Sequence, residues 1–192
     1  MPRSKVLPVP YFTQPTSNTC QSTCLKMYAA YLEQFVVFES TGAGDRAILD
    51  IWQDVNQSKD RPVQLRNAHK NFKWWLEIYF QTQVFYYGDT KDEITALERI
   101  IGFIDQGFPV LVSVSHINVD GHIILVVGYE NYEPNMTMPD FNLVVHDPYG
   151  AFDPTLRSKM FGKKRFDGGV CLPDGSESGH GKAVKLPLTS VS

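Results

Sequence analysis

Cysteine is scarce and irregularly spaced in this sequence, with three residues among 192. An odd, uneven set does not form the disulfide framework of a small secreted domain, and it predicts free thiols in a reducing compartment. The sequence also lacks the run of about 18 apolar residues that a transmembrane helix requires. Pro8 and Pro10 stand where a secretory signal would have its apolar segment. We therefore expect no Sec signal and synthesis in the cytoplasm.

Neither sign of charge dominates, since the formal net charge is −3. This balance gives no broad attraction to nucleic acid or to an anionic membrane, so we expect neither as a partner. The length predicts a single domain over residues 1–192, with a core at about 6–150 and a loop-rich C-terminal extension at 151–192. The sequence leaves the oligomeric state open.

Apolar spacing divides the chain into a helical part followed by a β-rich part. Helices are predicted at 20–35, 45–57 and 67–81, and between a capping box at 90–93 and Gly107. Ile51, Trp52 and Val55 belong to the predicted buried stripe of the second helix. Strands are predicted at 84–87, 109–115, 122–129 and 142–146, with extended edge segments at 5–12 and 184–188. Helices followed by antiparallel strands indicate an α+β fold with the helices packed on a C-terminal antiparallel sheet.

The first predicted helix begins with a cysteine, Cys20, behind two N-cap residue types, Asn18 and Thr19. A thiol in the first turn of a helix lies near the positive end of the macrodipole and near unpaired backbone N–H groups. Both effects favour the thiolate, so the sequence predicts Cys20 as a nucleophile. The alternative is that Cys20 is a small buried hydrophobic residue.

A thiol nucleophile needs a base, a group that orients the base, and donors for the oxyanion. His122 begins one predicted strand and Asp147 follows the end of the next. Antiparallel pairing of these strands would place the carboxylate beside the imidazole, where it can hold the tautomer. Gln14, in the loop before Cys20, can donate its amide N–H to the oxyanion together with the Cys20 backbone N–H.

Other residues could take these roles. Cys24 lies inside the helix, away from the free N–H groups, and is predicted to be core. Cys20 and Cys24 with one distant histidine have a poor spacing for structural zinc, so we expect neither a metal nor a cofactor. His116 is an alternative base and Asp120 an alternative orienting acid. His146 is predicted to point to the opposite face of the sheet from Asp147.

The order glutamine, cysteine, histidine, aspartate resembles that of the papain-like cysteine peptidases. Locally the chain is similar to the bacteriocin-processing, double-glycine leader peptidases and their stand-alone, phage-type relatives. The similar segments, within about residues 6–150, are VPYFTQ before the cysteine, GFPVLVSVS, GHIILVVGYE and DPYG. The resemblance implies a papain-like fold with Gln14 as oxyanion donor, Cys20 as nucleophile, His122 as base and Asp147 as its orienting partner. The family usually has glycine where Gln21 follows the cysteine, and its leader peptidases are normally fused to a transporter.

The resemblance also implies a peptidase or amidase that forms a thioester acyl-enzyme. The substrate that we predict is the peptide stem of bacterial peptidoglycan, as for a phage lysin or effector. The cell wall would then be reached by holin-type or other non-Sec release. Two alternatives stay open: a leader-peptide or other protein-processing protease, and a catalytically silent pseudo-peptidase that serves as a binding or structural module.

Overall fold

A computed structural model of the chain describes residues 1–16, 18–88, 93–114, 122–134, 142–148, 181–183 and 188–191. Within these ranges the elements are, in chain order, β1 (Arg3–Val6), α1 (Cys20–Phe35), α2 (Ile48–Gln57), α3 (His69–Tyr79), α4 (Glu93–Asp105), β2 (Val110–Val114), β3 (His122–Tyr132), β4 (Asn142–His146), β5 (Gly181–Ala183) and β6 (Leu188–Val191). Apart from β1, the helices precede the strands, which confirms the predicted α+β fold. No helix among these residues combines the length and hydropathy needed to cross a bilayer.

The described strands form one antiparallel sheet in the order β5-β4-β3-β2-β6, with β1 also paired to β3. β3 is the central strand of this sheet. On one edge β2 pairs with residues 122–126 of β3 and β1 pairs with residues 128–132. On the other edge β4 pairs with residues 125–130. β3 therefore has partners along both edges, as expected for a strand whose first eight residues are all buried.

Helix α1 joins the sheet to the other helices, because it contacts β3 as well as α2 and α3. Its buried residues include the polar Gln21, Ser22 and Thr23 in addition to the apolar Leu25 and Met27. A helix that is buried on several faces is typical of an element enclosed in the core rather than laid on the surface. The first turn of α1 is therefore held in a fixed position by layers that come from different parts of the chain.

The structure corrects one predicted strand. Residues 84–87 form neither helix nor strand. Val84 is 70% exposed, Phe85 7% and Tyr86 62%, so burial alternates as it does in a strand, but residues 84–87 pair with no strand among the described residues. The predicted edge strand at 184–188 stays a prediction over most of its length. Strands β5 and β6 lie on either side of residues 184–187, which lie outside the described residues, as does most of the predicted capping box at 90–93.

Two further predictions, one for α1 and one for α2, need correction. Thr19 occupies the N-cap position of α1 but makes no side-chain capping bond, and its hydroxyl donates to the Thr16 carbonyl at 3.0 Å. The predicted cap is therefore absent at this end of α1, and the Thr19 side chain orders the preceding loop instead. In α2, Ile51 and Val55 are fully buried as predicted, whereas Trp52 is only half-buried.

Candidate active site

The pairing of β3 with β4 brings His122 and Asp147 together. His122 is the first residue of β3, and Asp147 directly follows the last residue of β4. The His122 Nε2 atom lies 2.8 Å from Asp147 Oδ1, and the two residues are 2% and 1% exposed. A buried hydrogen bond of this length to a carboxylate fixes the orientation of the imidazole and favours its protonated form.

Cys20 reaches the same imidazole from the start of α1. Its side chain is half-buried and hydrogen-bonds to His122. Because the bond to Asp147 uses Nε2 of His122, Nδ1 is the ring nitrogen left for the sulfur. Cys20, His122 and Asp147 thus form a connected set, called the triad below, that runs from a half-buried thiol to a buried carboxylate.

These contacts shift the pKa values of both Cys20 and His122. Burial raises the pKa of the Cys20 thiol, but the hydrogen bond and positive charge of His122, with the backbone N–H groups of Ile123 and Gln21, outweigh it and leave the pKa below its ordinary value. Burial lowers the pKa of His122, but the charge and hydrogen bond of Asp147 and the interaction with Cys20 raise it to about 9. These opposite shifts favour a thiolate–imidazolium pair, which is the reactive form of a cysteine nucleophile.

Gln14 is held close to the Asp147 end of the triad. Its backbone N–H donates to the Pro148 carbonyl at 2.7 Å. Its side-chain Nε2 donates to the Thr16 carbonyl at 2.7 Å, while Oε1 is buried without a hydrogen-bond partner among the described residues. Since Nε2 carries two hydrogens, one stays available after the bond to Thr16. The second predicted donor, the Cys20 backbone N–H, is in the first turn of α1, where no earlier helical carbonyl can accept it.

Tyr11 connects the same N-terminal segment to the triad. Its hydroxyl donates to the Asp147 carbonyl at 2.7 Å, and its ring contacts His146 edge-on with centroids 5.4 Å apart. Tyr11 and His146 are 8% and 3% exposed. His146 thus packs against the segment that precedes α1, and the peptide that carries Asp147 is clamped by Tyr11.

The residue after the candidate nucleophile, Gln21, is 1% exposed and turned away from solvent. Its Oε1 lies 3.6 Å from the Cys20 sulfur, and its Nε2 donates to Asn67 Oδ1 at 2.9 Å. Gln21 therefore bridges the nucleophile to the link between α2 and α3. The sequence did not predict this bridge, because nothing in the irregular link at residues 58–68 shows which side chain faces α1.

The sequence also offered Cys24, His116 and Asp120 as alternatives for these roles. Cys24 is fully buried, and its thiol donates to the Ile123 carbonyl at 3.5 Å. Burial first, and then the negative charges of Cys20 and Asp147, raise the Cys24 pKa well above its ordinary value, so it suits a structural thiol. His116 and Asp120 lie outside the described residues. The described residues contain no group of three or more metal-ligating side chains.

Comparison with curated proteins found no match to this chain. A family model does match, and it spans residues 6–168, which is most of the 192-residue chain and includes Gln14, Cys20, His122 and Asp147. The chain therefore belongs to the Peptidase_C39 like family and is, in general class, a cysteine peptidase.

Proposed function

We propose that the protein cleaves an amide bond through a thioester formed on Cys20. The thiolate attacks the carbonyl carbon, and the protonated His122 gives its proton to the departing amine. Water then attacks the thioester carbonyl while neutral His122 accepts a proton from that water, and the carbon–sulfur bond breaks to release the acid product and restore the Cys20 thiolate beside protonated His122. The observation that carries the proposal is the connected set of contacts from the half-buried sulfur through the imidazole to Asp147, with 2.8 Å between His122 and the carboxylate.

Asp147 acts on the reaction through His122. As a buried carboxylate it stabilises the imidazolium and keeps the ring turned toward the sulfur. The Tyr11 hydroxyl, at 2.7 Å from the Asp147 carbonyl, fixes the peptide that carries this acid. Asp147 is therefore a positioning residue, whereas Cys20 and His122 contact the reacting atoms.

The oxyanion of the tetrahedral intermediate is stabilised by Gln14 and by the Cys20 backbone N–H. The bond from Gln14 Nε2 to the Thr16 carbonyl at 2.7 Å holds the amide in one orientation before the substrate arrives. Donors that are oriented in advance need no reorganisation when the charge develops, which is why they lower the barrier.

For the substrate we propose the peptide stem of bacterial peptidoglycan. Support for this assignment is analogy with small papain-like hydrolases that act on cell walls, and it is independent of the triad geometry. The experiment is digestion of purified sacculi by the wild type, by Cys20→Ala and by Cys24→Ala, with mass spectrometry of the released muropeptides. We expect release by the wild type and the Cys24→Ala control and none by Cys20→Ala. Equal release by wild type and Cys20→Ala would refute the proposal.

Processing of a leader peptide is a second candidate, and the resemblance of the segments VPYFTQ, GHIILVVGYE and DPYG to double-glycine leader peptidases supports it. Cleavage of a peptide after a Gly-Gly pair by the wild type, with sacculi left intact, would select it. A third outcome would show a pseudo-peptidase: no hydrolysis of either substrate, together with a Cys20 thiol that reacts with iodoacetamide no faster than free cysteine near neutral pH.

A further inference from the structure

We propose that Trp52 and Arg66 form a carboxylate-binding wall beside Cys20, which makes the enzyme selective for peptides with an acidic group near the scissile bond. This inference rests on the proposed peptidase function and specifies its substrate class. Nothing in the triad itself selects a substrate charge, so the selectivity has to come from side chains around it.

Trp52 lies against the loop that leads into the nucleophile. Its indole Nε1 donates to the Asn18 carbonyl at 3.1 Å, two residues ahead of Cys20. The residue is half-buried, in contrast to the fully buried Ile51 and Val55 of the same helix. Trp52 is therefore part of the surface next to α1 rather than part of the core.

Arg66 packs on the face of that tryptophan. The guanidinium carbon lies 5.3 Å from the centroid of the Trp52 ring, and Arg66 is exposed to solvent. Stacking on an aromatic face orients a guanidinium and leaves the N–H groups at its edge free to bind a planar anion in a bidentate manner. Within the described parts of the chain no carboxylate forms an ion pair with Arg66, whereas Arg46 of the same region pairs with Asp54 at 2.8 Å.

The neighbouring residue fixes the position of Arg66 relative to the nucleophile. Asn67 has a φ of 55°, a left-handed conformation in which asparagine is enriched among non-glycine residues. Its backbone N–H donates to Asn56 Oδ1 at 2.8 Å, and its Oδ1 accepts from Gln21 at 2.9 Å. Since Gln21 also contacts the Cys20 sulfur at 3.6 Å, the loop that carries Arg66 is tied directly to the first turn of α1.

Together these contacts describe a wall with an apolar face and a guanidinium that pairs with no carboxylate among the described residues. The wall is joined both to the residue after Cys20 and to the loop before it. A carboxylate fits such a surface through a charge-assisted fork of hydrogen bonds, and a neutral amide fits it less well. The substrate class that we infer is a peptide with an acidic side chain or a free α-carboxylate within a few residues of the scissile bond.

The test is peptide binding to the full chain carrying Cys20→Ala, which cannot turn over. Peptide pairs that differ only by glutamate or glutamine, scanned through the positions around a central amide, are titrated and followed by tryptophan fluorescence. At one or more positions we expect glutamate to bind about 10-fold more tightly than glutamine, and we expect this ratio to fall to about 1 when Arg66→Ala is added. Arg66→Glu should favour lysine instead, and the control Arg99→Ala, an exposed arginine on α4, should leave the ratio unchanged.

A glutamate-to-glutamine ratio near 1 at every position, or one that Arg66→Ala does not alter, would overturn this inference. Failure of the proposed function gives a different result. In that case the wild type would leave the bound acidic peptides uncut, while the charge preference and its dependence on Arg66 would persist in the binding data.

Discussion

At the scale of single residues, the reactivity of Cys20 depends on two opposing effects. Burial raises the pKa of the thiol. The contact of the thiol with His122 and its hydrogen bonds from two backbone N–H groups lower this pKa by more than burial raises it. The partner imidazole has its pKa raised to about 9 because Asp147 and Cys20 outweigh the effect of burial. The ion pair is therefore populated in a pH range that begins at the thiol pKa and ends near 9.

This range predicts the pH dependence of kcat/KM. On the alkaline side, activity should fall as pH passes about 9, because neutral His122 cannot give a proton to the leaving amine. On the acid side, activity should fall as the thiolate is protonated. In the Asp147→Ala variant the negative charge that raises the His122 pKa most is gone. The alkaline limb of the variant's pH profile should therefore move to lower pH. A wild-type rate that keeps rising above pH 9, or an alkaline limb that Asp147→Ala leaves in place, would contradict this assignment.

Gln14 gives a second prediction at this scale. Replacing it with alanine removes one oxyanion donor but neither the nucleophile nor the base, so we expect kcat to fall about 100-fold with little change in KM. The rate of Cys20 alkylation by iodoacetamide should stay within about twofold of the wild type, since the thiolate does not depend on this amide. Gln53→Ala, an exposed glutamine on α2, is the control. A kcat within twofold of the wild type would remove Gln14 from the oxyanion site.

At the scale of secondary structure, the sequence predicts well those elements whose periodicity is set by burial. Helix α1 has the predicted bounds, and β3 and β4 begin where their β-branched runs begin. Their pairing explains why the positions of His122 and Asp147 could be anticipated from strand ends. The half-buried position of Trp52 could not be anticipated, because helical spacing alone does not show that this tryptophan lies against the Asn18 carbonyl instead of in the core.

The close approach of β1 to β3 depends on Gly128, which lies at an irregularity in the register of β3 with β4. A Cβ at this position would lie 2.4 Å from the Lys5 carbonyl oxygen and 2.8 Å from Val6 Cα, both backbone atoms that cannot turn aside. We expect Gly128→Ala to lower the free energy of unfolding by about 1–3 kcal/mol, measured by chemical denaturation.

Gly102 supplies the matched control, since a Cβ there meets no atom within 4 Å and the residue lies inside α4. Gly102→Ala should be neutral or stabilise the fold by up to about 1 kcal/mol, because alanine restricts the unfolded chain more and favours the helix. Equal stability of the two variants would show that the approach of β1 to β3 is looser than the structure indicates.

At the scale of the whole molecule, β3 carries the triad residue His122 at one end. Near its other end it contacts an anchor, which is the set of hydrogen bonds around Asp105. His122 is at one end of the strand, and Tyr129 lies seven residues further, roughly 24 Å away at about 3.4 Å per residue. There Asp105, at the end of α4, accepts the Tyr129 hydroxyl and an Arg3 guanidinium N–H, each at 2.7 Å, while its carbonyl accepts Lys5 Nζ at 2.8 Å. Asp105 thus joins α4, β1 and β3 far from the triad.

The two carboxylates at opposite ends of β3 should therefore have separable effects. Asp105→Ala leaves the Tyr129 hydroxyl, on a residue 2% exposed, without its acceptor. A hydrogen bond to a charged group contributes about 1.5–3 kcal/mol, so Tm should fall by roughly 3–12 °C for a domain of this size. At temperatures well below that Tm, kcat/KM should stay within about twofold of the wild type.

Asp147→Ala should instead lower kcat/KM by roughly 100-fold or more, because His122 loses the carboxylate that orients it and stabilises its charge. Some loss of stability also follows, since the imidazole is left in a buried position without this partner. The two sites are too far apart to share contacts, so the losses in unfolding free energy should add within about 0.5 kcal/mol in the double variant. A larger deviation, or a drop in kcat/KM caused by Asp105→Ala alone, would show that β3 couples the anchor to the triad instead of separating them.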